Sequence, residues 1–158
     1  MLRISKKVEY ALIGLLHMSQ KDDQALTTAK ELANTYHIPQ ELMGKVLQQL
    51  ARRELIRSVQ GAKGGYKLQD PGKRITLNVI YEAIDGPFKI VNCIHMKDRR
   101  DCEQHYFCTI RNPMEIIQSK LEIFFEQLTL KDLESEIFQN FQGKKKINIP
   151  KHRKTAEV

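Results

Sequence analysis

The three cysteines of the chain lie in one sixteen-residue segment, CIHMKDRRDCEQHYFC, at Cys93, Cys102 and Cys108. Their spacing, C-x8-C-x5-C, lacks the short C-x2–4-C pair that is common in structural zinc sites. Longer gaps suit an iron–sulfur cluster, because cysteine thiolates bind its different iron atoms. The basic residues of the segment would favour thiolates and offset cluster charge; they are Lys97, Arg99 and Arg100. The segment therefore favours an iron–sulfur cluster, and a zinc site or a thiol switch is the alternative.

The rest of the chain must form a compact domain that positions this segment. With 158 residues, of which 41% are hydrophobic, it is long enough for one domain or one domain with an appended helix. No run approaches the ~18 apolar residues of a membrane span, and the start MLRISKK lacks the apolar core of a signal peptide. These features predict a cytoplasmic protein without a membrane partner. In that compartment an odd number of cysteines favours metal or redox chemistry over disulfides.

The net charge of +7 is concentrated at the C-terminus. Residues 144–158 contain six Lys or Arg and one acid, and so contribute +5 of it. The low apolar content of this stretch predicts a disordered basic tail over residues 143–158. Because the remaining residues carry little net charge, evidence for nucleic-acid binding must come from motifs.

The N-terminal half predicts a helix-turn-helix. A first helix runs from Ile4 to about Met18 at helical apolar spacing, and a second begins at Thr28, whose pairing with Glu31 makes a capping box. A third helix, 39–53, places five apolar residues inward; they are Leu42, Met43, Val46, Leu47 and Leu50. Its outer face is polar and consists of Gln40, Glu41, Gly44, Lys45, Gln48 and Gln49. Two short helices joined by a tight turn, the second polar outside, are typical of a DNA-reading pair.

A glycine-rich hairpin follows the third helix directly. We predict a strand over 55–59, a turn over 61–65 and a return strand over 66–68. Lys63 lies among the glycines of the turn, so the backbone could approach a phosphate or a groove closely. A basic hairpin after a helix-turn-helix is a wing, and this combination favours DNA binding.

The run HIPQELMGKVLQQLARRELIRSVQGAKGGYKL, followed by ITLNVIYEAIDG, resembles the winged-helix regulators of the IscR and NsrR type, the Rrf2 family. The resemblance covers residues 1 to about 133, and SVQG with GGY is its wing signature. It implies that the third helix enters the major groove and the wing the minor groove. The residues it places at DNA are Thr28, Gln40, Glu41, Gly44, Lys45, Gln60, Lys63 and Gly64. Many members have arginine at the position of Gln60.

The C-terminal half predicts a dimerisation arm. Residues 75–85 form a helix whose inward positions are Val79, Ile80, Ala83 and Ile84, and Gly86-Pro87 ends it. After the cysteines, Asn112 as N-cap and Pro113 start a long helix. Its apolar residues recur at spacings of three and four: Met114, Ile117, Leu121, Phe124 and Leu128. This pattern predicts the seam of a dimer, with packing on its own domain as the alternative. A further helix over 131–141 would cover the interface.

A cluster needs a fourth ligand, for which the resemblance implies candidates. In the nitric-oxide-sensing branch an acidic residue in the first helix of the partner subunit completes coordination, and Glu9 holds that position here. In the iron–sulfur assembly branch a histidine does so, but this chain has Arg111 there. His105 and His95 lie within the cysteine segment and are the remaining candidates. Three cysteines mark the cluster-binding members, but the eight-residue gap leaves 2Fe–2S and 4Fe–4S both open.

We therefore predict a mainly α fold with a small β-hairpin: a winged helix-turn-helix domain (1–86), a cysteine loop (87–112), dimerisation and covering helices (113–142) and the tail (143–158). The predicted function is a homodimeric regulator that binds a double-stranded DNA operator. An iron–sulfur cluster would modulate it by sensing iron–sulfur status, nitric oxide or redox state. The alternatives are a zinc-bound or thiol-switch regulator and, in another class, a redox enzyme or cluster carrier. No nucleotide loop, nucleophile–base motif or paired-carboxylate pattern supports an enzyme.

Overall fold

The computed structural model describes residues 3–71, 74–91, 93 and 102–141. The predicted tail, His95 and the three basic residues of the cysteine segment lie outside this range; the basic residues are Lys97, Arg99 and Arg100. The described part is mainly helical with a two-stranded antiparallel sheet, as predicted. Its elements are α1 (Lys6–Ser19), α2 (Ala29–Tyr36), α3 (Gln40–Arg52), β1 (Ile56–Val59), β2 (Gly65–Leu68), α4 (Leu77–Asp85), α5 (Arg111–Gln127) and α6 (Leu130–Phe141).

Side-chain caps set where most of these helices begin. The Thr28 hydroxyl accepts from the Glu31 backbone N–H at 3.0 Å, and the Glu31 carboxylate accepts from the Thr28 N–H at 3.4 Å. This is the predicted capping box, which satisfies donors that the first turn leaves free. Thr76 caps α4 in the same way by accepting from Val79 N–H. α2 ends at Tyr36, and its C-cap residue is His37. The left-handed φ of 54° at His37 allows the tight turn before α3.

The start of α5 differs from the prediction. The helix begins at Arg111, with Ile110 at the N-cap position and no side-chain cap, so Asn112 is already helical. Pro113 is tolerated because the backbone N–H groups of the first turn have no intrahelical partner. The next helix, α6, does have a cap: the Asp132 carboxylate accepts from both the N–H and the hydroxyl of Thr129.

α1, α3 and α4 pack together with the hairpin into the main core, whose fully buried residues include Leu15, Leu32, Met43, Leu47, Leu50 and Ile80. Two residues expected in this core are exposed instead: Leu42 by 43% and Val79 by 40%. At 3.6 residues per turn, each lies about 90–110° from the centre of the buried stripe of its helix. Both therefore reach the margin of the core rather than its interior.

The hairpin is tied to the start of α2. β1 and β2 pair from Ile56 with Leu68 to Val59 with Gly65. Thr27 and Tyr66 then exchange both backbone hydrogen bonds at 2.8 Å and form an isolated antiparallel bridge beside the two strands. A Cβ on Gly65 would lie 2.9 Å from the Thr27 carbonyl oxygen, so glycine permits this close approach. The hairpin is thereby held against the helix-turn-helix.

A backbone joint links α4 to the turn between α5 and α6. The Leu77 N–H donates to the Leu128 carbonyl, and the Leu130 N–H donates to the Ile75 carbonyl, both at 2.8 Å. Beside this joint Leu77, Phe88 and Phe125 form a second, small core. We call α1 to α4 with the hairpin the head, and α5 with α6 the arm. No helix in the described part of the chain is long and apolar enough to span a membrane.

Candidate functional site

The exposed side of α3 carries the predicted base-reading residues. Gln40, Glu41 and Lys45 are exposed, and a Cβ added at Gly44 would meet nothing within 4 Å. The Lys45 ammonium lies 2.7 Å from a Glu41 carboxylate oxygen, and this hydrogen bond lowers the pKa of Glu41. The pair is highly exposed and therefore weak. Lys45 can therefore exchange its partner for a base edge or a phosphate, and Glu41 can exchange its partner for a donor group on a base edge.

Gln49 does not belong to this surface, although its place in the polar pattern suggested it. Its side-chain amide donates to the Ala83 carbonyl at 3.1 Å and to the Ile84 carbonyl at 2.7 Å. These are carbonyls of the last turn of α4, which have no intrahelical partner. Gln49 therefore caps α4 and fixes α3 relative to it.

The hairpin presents the other predicted DNA contacts. Gln60 and Lys63 are exposed at its tip, next to Gly61, which has a φ of 122°. A Cβ on Gly64 would lie 2.4 Å from the Val59 carbonyl oxygen, so any other residue would open the turn. Thr28 is exposed at the start of α2, where its hydroxyl serves the capping box. Gly64 and Thr28 thus shape the surface locally, whereas Lys63 supplies its charge.

A hydrogen-bonded network holds α2 against α1. The His17 ring bonds the Glu31 carboxylate and the Tyr36 hydroxyl, each at 3.0 Å, and the Lys21 ammonium bonds the same carboxylate. Burial alone would raise the pKa of Glu31, but the hydrogen bonds from Lys21 and His17 outweigh it and hold that pKa below its ordinary value. No local sequence pattern indicates this position of His17, because its partners lie fourteen and nineteen residues further along the chain.

The three cysteines come together in the described structure. Cys93, Cys102 and Cys108 are free and half-buried, and all three line one small pocket with His105. The other lining residues belong to the start of α5 and are Arg111, Met114 and Glu115. Among the described residues no three His, Cys, Asp or Glu side chains are arranged to hold one metal ion. Thiols and an imidazole are suitable donors for iron or zinc, so binding would require these side chains to converge further.

Arg111 and Glu115 are functional candidates that sequence reasoning did not identify as part of this pocket. The Arg111 Nε donates to a Glu115 carboxylate oxygen at 3.3 Å, one helical turn away. Both residues face the thiols because the first turn of α5 forms one wall of the pocket. The Arg111 guanidinium has the charge that favours a thiolate, and its bond to Glu115 holds it in place. Spacing within the cysteine segment alone gives no signal for them.

Gln118 fixes the chain that leads into the cysteines. It is only 2% exposed, and its amide donates to the Phe88 carbonyl at 2.6 Å and to the Glu122 carboxylate at 2.7 Å. Its carbonyl oxygen accepts from the Ile90 N–H at 3.0 Å. No helix or strand supplies backbone partners for this segment, and the Gln118 side chain takes their place.

Glu9, the predicted ligand from a partner chain, does not line the pocket of its own chain. It is partly exposed on α1, where it pairs with Lys6.

The residues of the predicted dimer seam lie in three different surroundings. Leu121 and Leu128 pack against the small core, Met114 lines the cysteine pocket, and Ile117 and Phe124 are 42% and 53% exposed. Two residues outside the prediction, Ile116 and Ile123, join the exposed part at 57% and 56%.

A helix-turn-helix followed by a hairpin wing, with an open polar face on the second helix, defines a winged-helix DNA-binding regulator. Residues 4–136 match the profile of the Rrf2 family, described as iron-dependent transcriptional regulators. The chain belongs to the Rrf2 family and is a transcriptional regulator, not an enzyme.

Individual relatives agree with this assignment. Over 135 residues the chain is 32% identical to the HTH-type transcriptional regulator NsrR of Oceanobacillus iheyensis, with 84% of this chain and 89% of the relative covered. Two solved structures share the fold. One is CymR, the global cysteine regulator of B. subtilis, with a TM-score of 0.67 at 24% identity, covering 86% of this chain and 98% of that one. The other is IscR of T. potens, with a TM-score of 0.66 at 20% identity, covering 86% and 88%.

Proposed function

We propose that this regulator senses its signal through an iron–sulfur cluster held by Cys93, Cys102 and Cys108. The observation that carries the proposal is that these three thiols and the His105 imidazole line one pocket against α5. The description of the family as iron-dependent regulators supports an iron-containing group. When bound, such a cluster would supply iron that changes oxidation state or reacts with nitric oxide, and so would register redox state, nitric oxide or iron–sulfur status.

The test is the metal content of protein purified without oxygen. We expect visible absorbance with iron and acid-labile sulfide, and loss of both in Cys93→Ala, Cys102→Ala and Cys108→Ala. Thr109→Ala is the matched control, because Thr109 is exposed beside Cys108 and carries no suitable soft ligand. Stoichiometric zinc without sulfide would contradict the cluster and favour the zinc site.

His105 and Glu9 are the competing fourth ligands. His105 lines the pocket in its own chain, whereas Glu9 would have to come from a partner, as the family resemblance implies. We rank Glu9 first for this role. We expect Glu9→Ala to shorten the lifetime of the cluster and leave the unfolding free energy of the cluster-free protein unchanged. An unchanged spectrum in Glu9→Ala, with a changed one in His105→Ala, would transfer the role to His105.

A thiol switch is the second candidate. It is favoured by the free, half-buried thiols in one pocket, without a ready metal geometry among the described residues. In that case mild oxidation of metal-free protein would change DNA affinity reversibly, and Cys102→Ser would remove the change. The cluster proposal instead expects this response to depend on bound iron.

We further propose that the regulator is a homodimer joined through α5. Its support is the exposed apolar face of that helix, formed by Ile116, Ile117, Ile123 and Phe124. These are two adjacent pairs about two helical turns apart, and such an exposed apolar face on one helix is typical of an interface. We expect Ile123→Glu to give monomers in sedimentation experiments. Ser119→Glu, exposed on the flank of the same helix, should leave the dimer intact.

The proposed operator contacts divide into base readers and phosphate contacts. Gln40, Glu41 and Lys45 on α3 would read base edges, worth about 1–3 kcal/mol per good bidentate pair. Lys63 on the wing would bind phosphate or the minor groove. We expect Lys63→Ala to weaken binding to all sequences and to reduce the slope of log affinity against log salt by about one. Lys89→Ala, an exposed lysine outside both elements, is the control.

Half-sites about 34–36 Å apart, or a multiple of this, would suit two heads related by two-fold symmetry. DNA selection with cluster-loaded and cluster-free protein at matched salt would identify the operator. If neither form preferred any sequence over random DNA, sequence-specific regulation by this chain would be ruled out.

A further inference from the structure

A cavity of about 330 Å³ lies between the head and the arm, away from the cysteines. Its walls are the end of α1, the loop before α2, the base of β2 and the first turn of α6. Four residues of the buried core form its apolar part: Met18, Leu68, Ile75 and Leu130. The volume falls within the range of about 300–1,000 Å³ that is typical of small-molecule sites.

Charged residues of both signs line the same cavity. The cations are Lys67, Arg74 and Lys131, and the carboxylates are Asp22, Asp23 and Glu134. Lys67 donates to the Asp23 carbonyl and the Gln24 amide oxygen, and Arg74 donates to the Glu126 carbonyl. Among the described residues, no ion pair joins any of these cations to any of these carboxylates. The cavity therefore offers both kinds of charge beside an apolar floor.

We propose that this cavity binds a zwitterionic small molecule of the free amino acid class. The carboxylate of the ligand would face the cations and its ammonium would face the acids, because each is then matched by an opposite charge. Its side chain would lie on the apolar floor, where burial is favourable. A purely anionic or purely cationic ligand would leave half of the lining charges opposed to it.

The position of the cavity gives such binding a route to DNA affinity. Lys67 and Leu68 belong to the wing strand β2, whereas Leu130 and Lys131 open α6 of the arm. A ligand that touches both can favour one head–arm arrangement over another, provided that it binds the two arrangements unequally. This site lies apart from the cysteine pocket, and its proposal does not depend on a cluster.

The test is thermal unfolding of reduced, metal-free full-length protein with each standard amino acid at about 10 mM. A ligand present at a hundred times its Kd should raise Tm by about 5–10 °C in a chain of this size. Calorimetric titration would then give the Kd of the best amino acid. Acetate and methylammonium, which each carry one of its two charges, are the ligand controls.

Two variants locate the site. Ala25→Phe should fill the cavity, because Ala25 lines it, and Lys131→Glu should reverse one cation on exposed α6 surface without a folding cost. We expect each to weaken amino acid binding at least tenfold. Lys30→Glu, exposed on α2 and outside the cavity, should leave the Kd unchanged.

Three results would overturn the proposal: no Tm shift with any amino acid, an equal shift with acetate or methylammonium, or a Kd unaffected by both variants. A protein in which all three cysteines are replaced should bind the amino acid normally. This last measurement tests the cavity independently of the cysteine pocket. A negative result for one proposal therefore does not count against the other.

Discussion

The head and the arm bury their apolar residues to very different extents. In the head, Leu15, Leu47 and Ile80 have no exposed surface, and they belong to one continuous core. The arm contributes Phe125 to a small core of three buried residues, while Ile123 and Phe124 beside it are more than half exposed. The head thus holds most of the main core, to which the arm adds Leu130, whereas the arm depends on the head and on whatever covers its open face.

This difference separates the part of the chain that supplies most of the stability from the part that is proposed to receive the signal. The head holds the proposed DNA-reading surface mainly through its own packing, so small changes elsewhere need not unfold it. The cysteine pocket lies at the start of the arm, where most residues of the first turns of α5 are exposed, so fewer contacts must change for it to rearrange. Each of the following substitutions tests one side of that contrast.

The largest effect is expected from the core of the head. Leu47→Ala should lower the unfolding free energy by about 2–5 kcal/mol, because a fully buried leucine leaves a cavity. Leu42→Ala, on the same helix but 43% exposed, should cost less than about 1 kcal/mol. Urea denaturation of both variants measures this, and equal losses would show that the head is not organised around this core.

A smaller effect is expected at the entry to the cysteines. Gln118→Leu removes the partners of the Phe88 carbonyl and the Ile90 N–H, at a cost of about 1–3 kcal/mol. We also expect faster labelling of Cys93 by a thiol reagent, since its backbone would be less restrained. Ser119→Ala, which loses only an exposed bond to the Glu115 carbonyl, is the control. Labelling at the parental rate would contradict a positioning role for Gln118.

The network between α1 and α2 predicts a dependence on acidity. The pKa of Glu31 is lowered from 4.5 in the folded state, so its stabilisation is complete above that value and is lost as pH falls through the folded pKa. Glu31→Gln should therefore cost about 1 kcal/mol at pH 7 and progressively less at acid pH. Unfolding free energies measured from pH 7 to pH 3 test this, with Glu82→Gln as the exposed control. A cost that does not change with pH would exclude the carboxylate charge as its source.

The smallest effect is expected at Thr27. Its hydroxyl is fully buried and finds no hydrogen-bond partner among the described residues. Thr27→Val should therefore stabilise the protein by about 0.5 kcal/mol, while leaving both backbone bonds to Tyr66 in place. Thr28→Val should instead destabilise it by about 1 kcal/mol, because it removes the helix cap. If both changes lowered Tm, an internal water molecule would be the partner of the Thr27 hydroxyl.

Local signals account for the parts of the fold that the sequence predicted correctly. The Thr28 and Glu31 pair, the apolar stripe of α3 and the glycines around Lys63 each act within a few residues, so each is visible in the pattern. The misplaced residues show the limits of periodicity. Leu42 and Val79 are apolar but lie at the edge of the buried stripe of each helix, and only the packed structure reveals where that stripe is centred.

Long-range partners account for what the sequence could not predict. Gln49 matches the polar face of α3, yet its side-chain amide donates hydrogen bonds to carbonyls of α4, more than thirty residues later in the chain. Gln118 is a polar residue within an amphipathic helix, and its burial depends on where the cysteine segment passes. The presence of Arg111 and Glu115 at the thiols likewise follows from the position of the first turn of α5. The spacing of the cysteines indicated their site, but it did not indicate that the first turn of α5 forms one wall of the pocket.

The joint between the head and the arm consists of main-chain atoms, with the amides of Leu77 and Leu130 as its donors. Only a substitution to proline would remove these donors, so the connection can persist while the side chains around it diverge. The same two amides are also built-in reporters. Their hydrogen exchange should accelerate when the arm separates from the head, even while amides in the centre of α3 remain protected. The rate of hydrogen exchange at these two amides therefore reports on the motion that would carry a signal from the cysteines to DNA.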